Sequence, residues 1–194
     1  MRKAEFVRKT NETTVRVLID LDGTGAPPVL RTGIGFFDHT LGAFARFGLF
    51  DLELECQGDL IVDGHHSVED CGIVLGIAIK AALGEKEGIS RVSSCFFPMD
   101  EALAFCAIDL SGRPFFAFEG ELGSEMLGGF SASLAEEFFR ALAMNAGLTL
   151  HLSVKGRNAH HQIEALFKAF GRALRDAVTK DPRIKGVPST KGML

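Results

Sequence analysis

The sequence His65-His66-Ser67-Val68-Glu69-Asp70 recurs 95 residues later as His160-His161-Gln162-Ile163-Glu164-Ala165. Both histidines and the glutamate keep their positions in the second copy. Two further pairs of similar stretches lie upstream of these motifs: 19–23 with 108–112, and 43–49 with 141–148. Similar stretches in the same order indicate an internal duplication. We therefore predict one domain, residues 1–194, made of two similar halves at about 1–90 and 91–194.

Each half is predicted to contain strands, a helix, another strand and a final helix. Alternating apolar and polar residues predict strands at 14–22, 49–57, 103–110, 115–118 and 148–154. Helical spacing of apolar residues predicts helices at 36–47, 63–83, 131–146 and 158–179. Asp63 and Asn158 lie two residues before the first histidine of each doublet, where an N-cap belongs. The pattern predicts an α+β fold whose sheets pack on a helical layer, with a glycine-rich loop at 120–129.

Composition and charge exclude several classes of protein. With 194 residues, 46% of them hydrophobic, the chain can bury a core, and its net charge of −4 argues against a nucleic-acid or anionic-membrane surface. We find neither an apolar run of about 20 residues nor the apolar core of a secretory signal. The four cysteines form no Cys-x-x-Cys pair, which is typical of reduced thiols in a cytoplasmic protein. We expect no nucleic-acid or membrane partner.

The histidine doublets indicate a metal site. In a helix, Glu69 follows His65 by four residues and His66 by three, so the three side chains lie at one helix end. Imidazole and carboxylate ligands suit Mn²⁺, Fe²⁺ or Zn²⁺, and several oxygen ligands favour Mn²⁺ over tetrahedral zinc. Neighbouring helical residues point about 100° apart, so one doublet serves two metals better than one. We predict two metals, each with ligands from both halves.

Other residues are weaker candidates on spacing alone. His39 is a further ligand candidate, and its rough counterpart in half two, counted back from the Gly-Leu that ends the helix, is Glu137. His151 lies in a predicted strand, where we expect a structural role. Glu12, Asp100 and Glu101 are acid–base candidates that spacing does not rank above surface carboxylates. A basic and hydroxyl-bearing set could surround an anion, although its last members could equally form a disordered tail: Arg91, Arg113, Lys168, Ser189, Thr190 and Lys191.

Five motifs occur together and in order along the chain. They are Phe36-Phe37-Asp38-His39, the first doublet with Asp63, Pro98-Met99-Asp100-Glu101-Ala102, Gly156-Arg157-Asn158-Ala159 with the second doublet, and Pro188-Ser189-Thr190-Lys191-Gly192. Over essentially its whole length the sequence closely resembles the imidazoleglycerol-phosphate dehydratase family. The resemblance implies a fold of two halves like the second domain of ribosomal protein S5. It also implies a homo-oligomer of twenty-four subunits with active sites at subunit contacts.

The resemblance also implies roles for individual residues. One Mn²⁺ would bind His39, His66, Glu69 and His160, and the other His65, His161, Glu164 and Glu137, a position where many relatives carry histidine. The phosphate pocket would comprise Arg91, Arg113, Lys168, Ser189 and Lys191, with Thr190 beside them. Glu12 would contact the substrate near the carbon that loses a proton.

The implied activity is that of a lyase of histidine biosynthesis, which dehydrates D-erythro-imidazole glycerol phosphate to imidazole acetol phosphate. Two Mn²⁺ ions would stabilise the anion of the substrate imidazole, which can then expel the adjacent hydroxyl group. We assign catalysis to Glu12, as the base, together with Glu69 and Glu164. Two alternatives remain at this point: a binuclear phosphatase, which would release inorganic phosphate, and a metal-storage protein, which would need no phosphate pocket.

Overall fold

The computed structural model describes residues 2–192, which fold into two four-stranded sheets and a short hairpin. The first sheet has the order β1-β2-β4-β3 and the second the order β5-β6-β10-β7, with β8 and β9 forming the hairpin. The strands are β1 (Lys3–Lys9), β2 (Thr13–Asp20), β3 (Val29–Arg31), β4 (Asp51–Gly58), β5 (Val92–Met99), β6 (Ala102–Asp109), β7 (Phe115–Glu119), β8 (Met126–Leu127), β9 (Phe130–Ser131) and β10 (Thr149–Lys155).

Four helices lie between these two sheets in the described chain. They are α1 (Gly35–Gly48), α2 (His65–Leu83), α3 (Leu134–Ala146) and α4 (Ala159–Val178). Helix α2 packs on β1 and β2, and α4 packs on β5 and β6. Across the halves, α1 packs on α4 and α2 on α3. The predicted α+β fold of two similar halves, with helices between the sheets, is confirmed.

Alternation along the strands gives each sheet a buried face. In β2, Val15, Val17 and Ile19 are fully buried against the helices. Arg16, between them, points outward, and its guanidinium lies 2.7 Å from Glu5 and 3.0 Å from Glu53 on the neighbouring strands. A sheet with one apolar and one charged face buries its apolar face on a helical layer.

The duplication extends to the packing of the helices. A Cβ atom added at Gly76 of α2 would lie closer than 3.0 Å to the carbonyl oxygen of Leu142 in α3. A Cβ atom added at Gly171 of α4 would lie equally close to the carbonyl oxygen of Phe44 in α1. The two glycines are 95 residues apart and the two carbonyls 98. Glycine therefore permits the same close helix approach in both interfaces between the halves.

All nine predicted elements are present, with ends within about three residues of the observed ones. Strands β1, β3, β5 and β9 were not predicted. The loop predicted at 120–129 contains β8, and β9 includes Ser131, where a helix was predicted to begin. Asn158 is the N-cap of α4, and its side chain accepts the backbone N–H of His161. The prediction for Asp63 was one residue early, because Gly64 is the N-cap of α2 and Asp63 accepts the N–H of His65 at 2.7 Å. No helix within residues 2–192 is long and apolar enough to span a bilayer.

Candidate active site

Three potential metal ligands from both halves meet between α1 and α4. Nε2 of His39 and Nε2 of His160 each lie 3.1 Å from Oε2 of Glu164. His160 and Glu164 are one turn apart on α4, and Phe36 packs edge-on against the His160 ring with centroids 4.9 Å apart. The three ligand atoms lie within 4.8 Å of one another, a spacing that one divalent ion could bridge.

The Glu164 carboxylate is held in its charged form. Its side chain is only 9% exposed, and Nζ of Lys168 lies 2.8 Å from Oε1. Burial raises the pKa of Glu164, but Lys168 and His39 outweigh burial and lower this pKa to about 2. Nζ of Lys168 also lies 5.5 Å from the ring centre of Phe47, a cation–π contact that orients the lysine. Glu164 is therefore ionised in the metal-free chain.

This grouping differs from the ligand sets that the resemblance implies. There, Glu164 belongs with His65 and His161, whereas the structure places Glu164 beside His39 and His160. The reason is helical geometry, since residues four apart lie on one face and His160 points its Nε2 at Glu164. In the first doublet His65 has the same relation to Glu69, at 3.8 Å.

Glu137 lies where the repeat predicts it, but away from the three-residue cluster. Helix α1 ends with Leu49 in the left-handed conformation and α3 ends with Gly147 in that conformation. His39 and Glu137 each lie ten residues before these caps, so they are structural counterparts. The Glu137 carboxylate lies 3.7 Å from Nε of Arg140. Among residues 2–192, no second ligand cluster as compact as the first forms around it.

The second histidine of each doublet lies between carboxylates. Nδ1 of His66 is 3.0 Å from Asp59, and its Nε2 is 3.8 Å from Glu12. Hydrogen bonding to Asp59, helped by the charge of Glu12, raises the pKa of His66 against the opposing effect of burial. Glu12 lies in the β1–β2 turn, half-exposed beside a predicted metal ligand. Sequence reasoning missed Asp59, whose only signal is its position directly after a strand.

His161 has a matching environment in the second half. Its Nδ1 lies 2.8 Å from Glu101, and its Nε2 lies 3.7 Å from Asp100. The hydrogen bond to Glu101 raises the pKa of His161. The same bond, with two backbone N–H donors, lowers the pKa of Glu101 to about 2. Asp100 and Glu101, singled out in the sequence without a rank, thus adjoin the second doublet.

The predicted phosphate-binding residues fall into two groups within one chain. Arg91 forms two bonds to Asp109, at 2.7 and 3.0 Å, and donates to the carbonyl of Pro188 at 2.8 Å. This bond places Ser189, Thr190 and Lys191 beside Arg91. The backbone N–H of Arg91 donates to Ala177, nine residues after Lys168 on α4 and thus roughly 13 Å along the helix. Arg113 is exposed in the segment after β6.

Two cavities on the second sheet lie away from the histidine doublets. One of about 440 Å³ opens on the outer face of the second sheet, between Phe96, Phe105 and Val154. His151 lies on this outer face, exposed, with its ring centre 5.9 Å from that of Phe115. No doublet histidine lines this cavity. The doublet histidines lie at the N-terminal ends of α2 and α4.

Known proteins resemble this chain in both sequence and fold. The sequence model of the family described as imidazoleglycerol-phosphate dehydratase matches residues 32–174. A curated protein of that name from Acetivibrio thermocellus is 59% identical over 194 residues, covering 100% of this chain and 99% of its own.

Two solved structures of dehydratases with this name share the fold. The one from Staphylococcus aureus is 39% identical, with a TM-score of 0.83, covering 92% of this chain and 99% of its own. The one from Pyrococcus furiosus is 35% identical, with a TM-score of 0.82, covering 97% of this chain and 100% of its own. The family model covers both histidine doublets, and relatives of this name match the chain in sequence and in fold. The chain therefore belongs to the imidazoleglycerol-phosphate dehydratase family of histidine biosynthesis.

Proposed function

We propose that the chain dehydrates D-erythro-imidazole glycerol phosphate to imidazole acetol phosphate, using two Mn²⁺ ions per active site. The observation that carries this proposal is the cluster of His39, His160 and Glu164, which draws ligands from both halves of the duplication. Family membership supports a dehydratase. The donor set supports the metal, because imidazole with an ionised carboxylate suits Mn²⁺.

The repeat extends this cluster to two ligand sets. The counterparts of His39, His160 and Glu164 are Glu137, His65 and Glu69. If each doublet divides between two metals, His66 completes the first set and His161 the second. The proposed sets are therefore His39, His66, His160 with Glu164, and Glu137, His65, His161 with Glu69. They differ from the sets implied by resemblance only in exchanging Glu69 and Glu164.

When bound, the two ions would act as Lewis acids that favour the anionic form of the substrate imidazole. Glu12 is the proposed base for the proton on C2, since its half-exposed carboxylate reaches within 3.8 Å of the His66 ring. The hydroxyl group on C3 leaves as water, and the resulting enol converts to the ketone. Lys168, bound to Glu164, would place a positive charge next to the bound substrate.

We place the phosphate pocket where copies of the chain meet. Within residues 2–192, Lys168 is bonded to Glu164, whereas Arg91 is bonded to Asp109 and Pro188, so the two groups have separate partners in one chain. We propose that copies of the chain bring the two groups together in a homo-oligomer of twenty-four subunits, with sites at the contacts. Exposed apolar residues support such contacts, notably Ile61 at 98% and Phe96 at 67% exposed. Four free cysteines fit a cytoplasmic location.

The decisive experiment is product analysis on Mn²⁺-loaded protein with imidazole glycerol phosphate. We expect a ketone that retains its phosphate, and two metal ions per chain by elemental analysis. Release of inorganic phosphate would instead identify a phosphatase. Metal binding with no turnover would identify a storage protein, and full activity with one tight metal per chain would contradict the two-metal site. As His65 and His161 belong to one proposed set, alanine at either position should abolish turnover to a similar extent.

A further inference from the structure

A carboxylate contacts Nδ1 of the second histidine in each doublet. Asp59 lies 3.0 Å from Nδ1 of His66, and Glu101 lies 2.8 Å from Nδ1 of His161. Within residues 2–192, no carboxylate bonds to Nδ1 of the first histidines, and His160 directs Nε2 at the glutamate one turn away. In each doublet, a carboxylate thus faces Nε2 of the first histidine and Nδ1 of the second.

Glu101 is anchored so that its second oxygen faces His161. Its Oε1 accepts the backbone N–H groups of Arg157 at 3.0 Å and Asn158 at 2.9 Å, just before α4. Its Oε2 is left for the imidazole. Asp100, beside Glu101 in the β5–β6 turn, has a φ of 49°, in the left-handed region that Asp and Asn adopt more readily than other non-glycine residues.

The two halves use carboxylates from different positions to contact Nδ1 of the second histidine. Glu101 lies 89 residues after Glu12, at the offset that relates β2 to β6, and both occupy hairpin turns. Glu101 takes Nδ1 of its histidine, whereas Glu12 faces the Nε2 side of His66 at 3.8 Å. In half one Asp59 takes Nδ1 instead. Strand β10 begins 98 residues after β4. At this offset the position equivalent to Asp59 is Arg157, which has no carboxylate.

We infer that Asp59 and Glu101 are positioning residues that fix the protons of His66 and His161 on Nδ1 and leave Nε2 free to bind a metal. Each carboxylate accepts a hydrogen bond, so the ring nitrogen facing it must carry the proton. A partner on the outer ring nitrogen fixes both the tautomer and the orientation of a ligating histidine. Since Asp59 does this in half one, the counterpart of Glu101, Glu12, is released to act on the substrate. The assignment of Nε2 to a metal rests on the proposed function; the tautomers do not.

The test is the position of the proton on each ring. In metal-free protein labelled with ¹⁵N-histidine and held above the histidine pKa values, solid-state NMR should show His66 and His161 protonated on Nδ1, the less populated form of free histidine. Glu101→Gln should move the proton of His161 to Nε2, because the new amide N–H donates to Nδ1, and leave His66 unchanged. Asp59→Asn should do the reverse. Each variant should bind Mn²⁺ about 10–100-fold more weakly in titration calorimetry.

Asp51 supplies a matched control. Its carboxylate accepts the backbone N–H groups of Thr24 and Ala26, at 3.0 and 3.1 Å, with no histidine bonded to it. Asp51→Asn should change neither tautomer nor Mn²⁺ affinity. The inference is overturned if either wild-type histidine carries its proton on Nε2, or if the Glu101→Gln protein binds Mn²⁺ as wild type does.

The outcomes distinguish a failure of this inference from a failure of the proposed function. If Glu101→Gln fails to fold, the wild-type tautomers and the Asp59→Asn protein still decide the question. A weakened metal site with an unchanged tautomer would mean that Glu101 merely anchors α4, which also overturns the inference. Correct tautomers and a tight metal site in a protein that forms no ketone would overturn the proposed reaction alone.

Discussion

Nε2 of His39 and Oε2 of Glu164 lie 3.1 Å apart, and this contact joins α1 of the first half to α4 of the second. Neither half alone could form the cluster, because each contributes only part of the ligand set. The close packing of α1 on α4 at Gly171 brings the two helices near enough for the contact. The candidate metal-binding cluster therefore depends on the interface between the halves.

Removing the charge of Glu164 should weaken metal binding without unfolding the chain. In Glu164→Gln the amide keeps the shape of the side chain but lacks the negative charge that faces both histidines. We expect Mn²⁺ affinity to fall by at least about tenfold, measured by titration calorimetry. Glu136→Gln is the control, because Glu136 is a surface residue paired with Arg140. Equal affinities in both variants would contradict the placement of Glu164 in the site.

Substitutions at Glu137 test the second ligand set. Glu137→His restores the residue type of its counterpart His39 and should retain substantial activity. Glu137→Ala removes a ligand and should weaken Mn²⁺ binding by about 10–100-fold. Elemental analysis after dialysis against limiting metal measures the loss. If Glu137→Ala retains Mn²⁺ as tightly as wild type, Glu137 is an ordinary surface carboxylate.

Metal binding should weaken on mild acidification. The pKa values of His66 and His161 lie above the usual 6.5 because carboxylates hydrogen-bond to both rings. A protonated imidazole cannot bind a metal, so affinity should begin to fall above pH 6.5, by about tenfold per pH unit for each histidine. The Glu164 carboxylate, with a pKa of about 2, stays ionised throughout this range. Constant affinity of Mn²⁺ down to pH 6, followed by electron paramagnetic resonance, would contradict this expectation.

In the metal-free chain, the Glu101–His161 pair should stabilise the fold less as the pH rises above about 6.5, whereas Mn²⁺ affinity increases as the pH rises. A raised histidine pKa stabilises the folded state below pH 6.5, and this contribution is lost as pH rises through the raised pKa. The lowered pKa of Glu101 stabilises the folded state above about pH 4.5, and this contribution is lost as the pH falls towards 2. The difference in Tm between metal-free wild type and Glu101→Gln should therefore be largest between about pH 4.5 and 6.5. A difference that grows steadily to pH 9 would argue against the ion pair.

The equivalent glycines test the duplicated helix packing. Gly76→Ala and Gly171→Ala each force a methyl group against a backbone carbonyl of the facing helix, so each should destabilise the fold by about 1–3 kcal/mol. Gly42→Ala in α1 is the control, because its Cβ would make only an ordinary contact with Leu30 at 3.6 Å. That change should be neutral or stabilising by up to about 1 kcal/mol, since alanine favours helix. Denaturant unfolding measures all three, and similar values for Gly42 and Gly76 would contradict the packing.

The repeat made much of this fold predictable. Helical spacing of apolar residues placed α1, α2, α3 and α4, and alternation placed the strands β2, β4, β6, β7 and β10. The edge strand β1 was missed because its outward residues are mostly exposed and charged, which hides alternation. In β5, Ser93, Ser94 and Pro98 interrupt the pattern that would indicate a strand.

Parts of the site could not be predicted because they depend on contacts between distant segments. Asp59 meets His66 only through the loop between β4 and α2, and no periodicity marks it. The pairing of Glu164 with His39 arises from the packing of α1 on α4, which spacing within one helix does not reveal. Glu137 was aligned correctly with His39, yet its carboxylate lies beside Arg140. The orientation of a side chain depends on nearby charges as well as on its position in the repeat.

The last prediction connects the metals to the assembly. The proposed sets group His66 with His39 and His160, but the compact cluster within residues 2–192 does not include His66, so we expect a neighbouring copy to supply it. A metal bound by two copies binds only the assembled state and stabilises it by mass action. A chelator at neutral pH, or acidification below about pH 6, should therefore shrink the particle and stop turnover. Adding Mn²⁺ back at neutral pH should restore both size and activity, as measured by light scattering with a parallel assay. Particles that keep full size while inactive would show that the metals serve catalysis without holding the copies together.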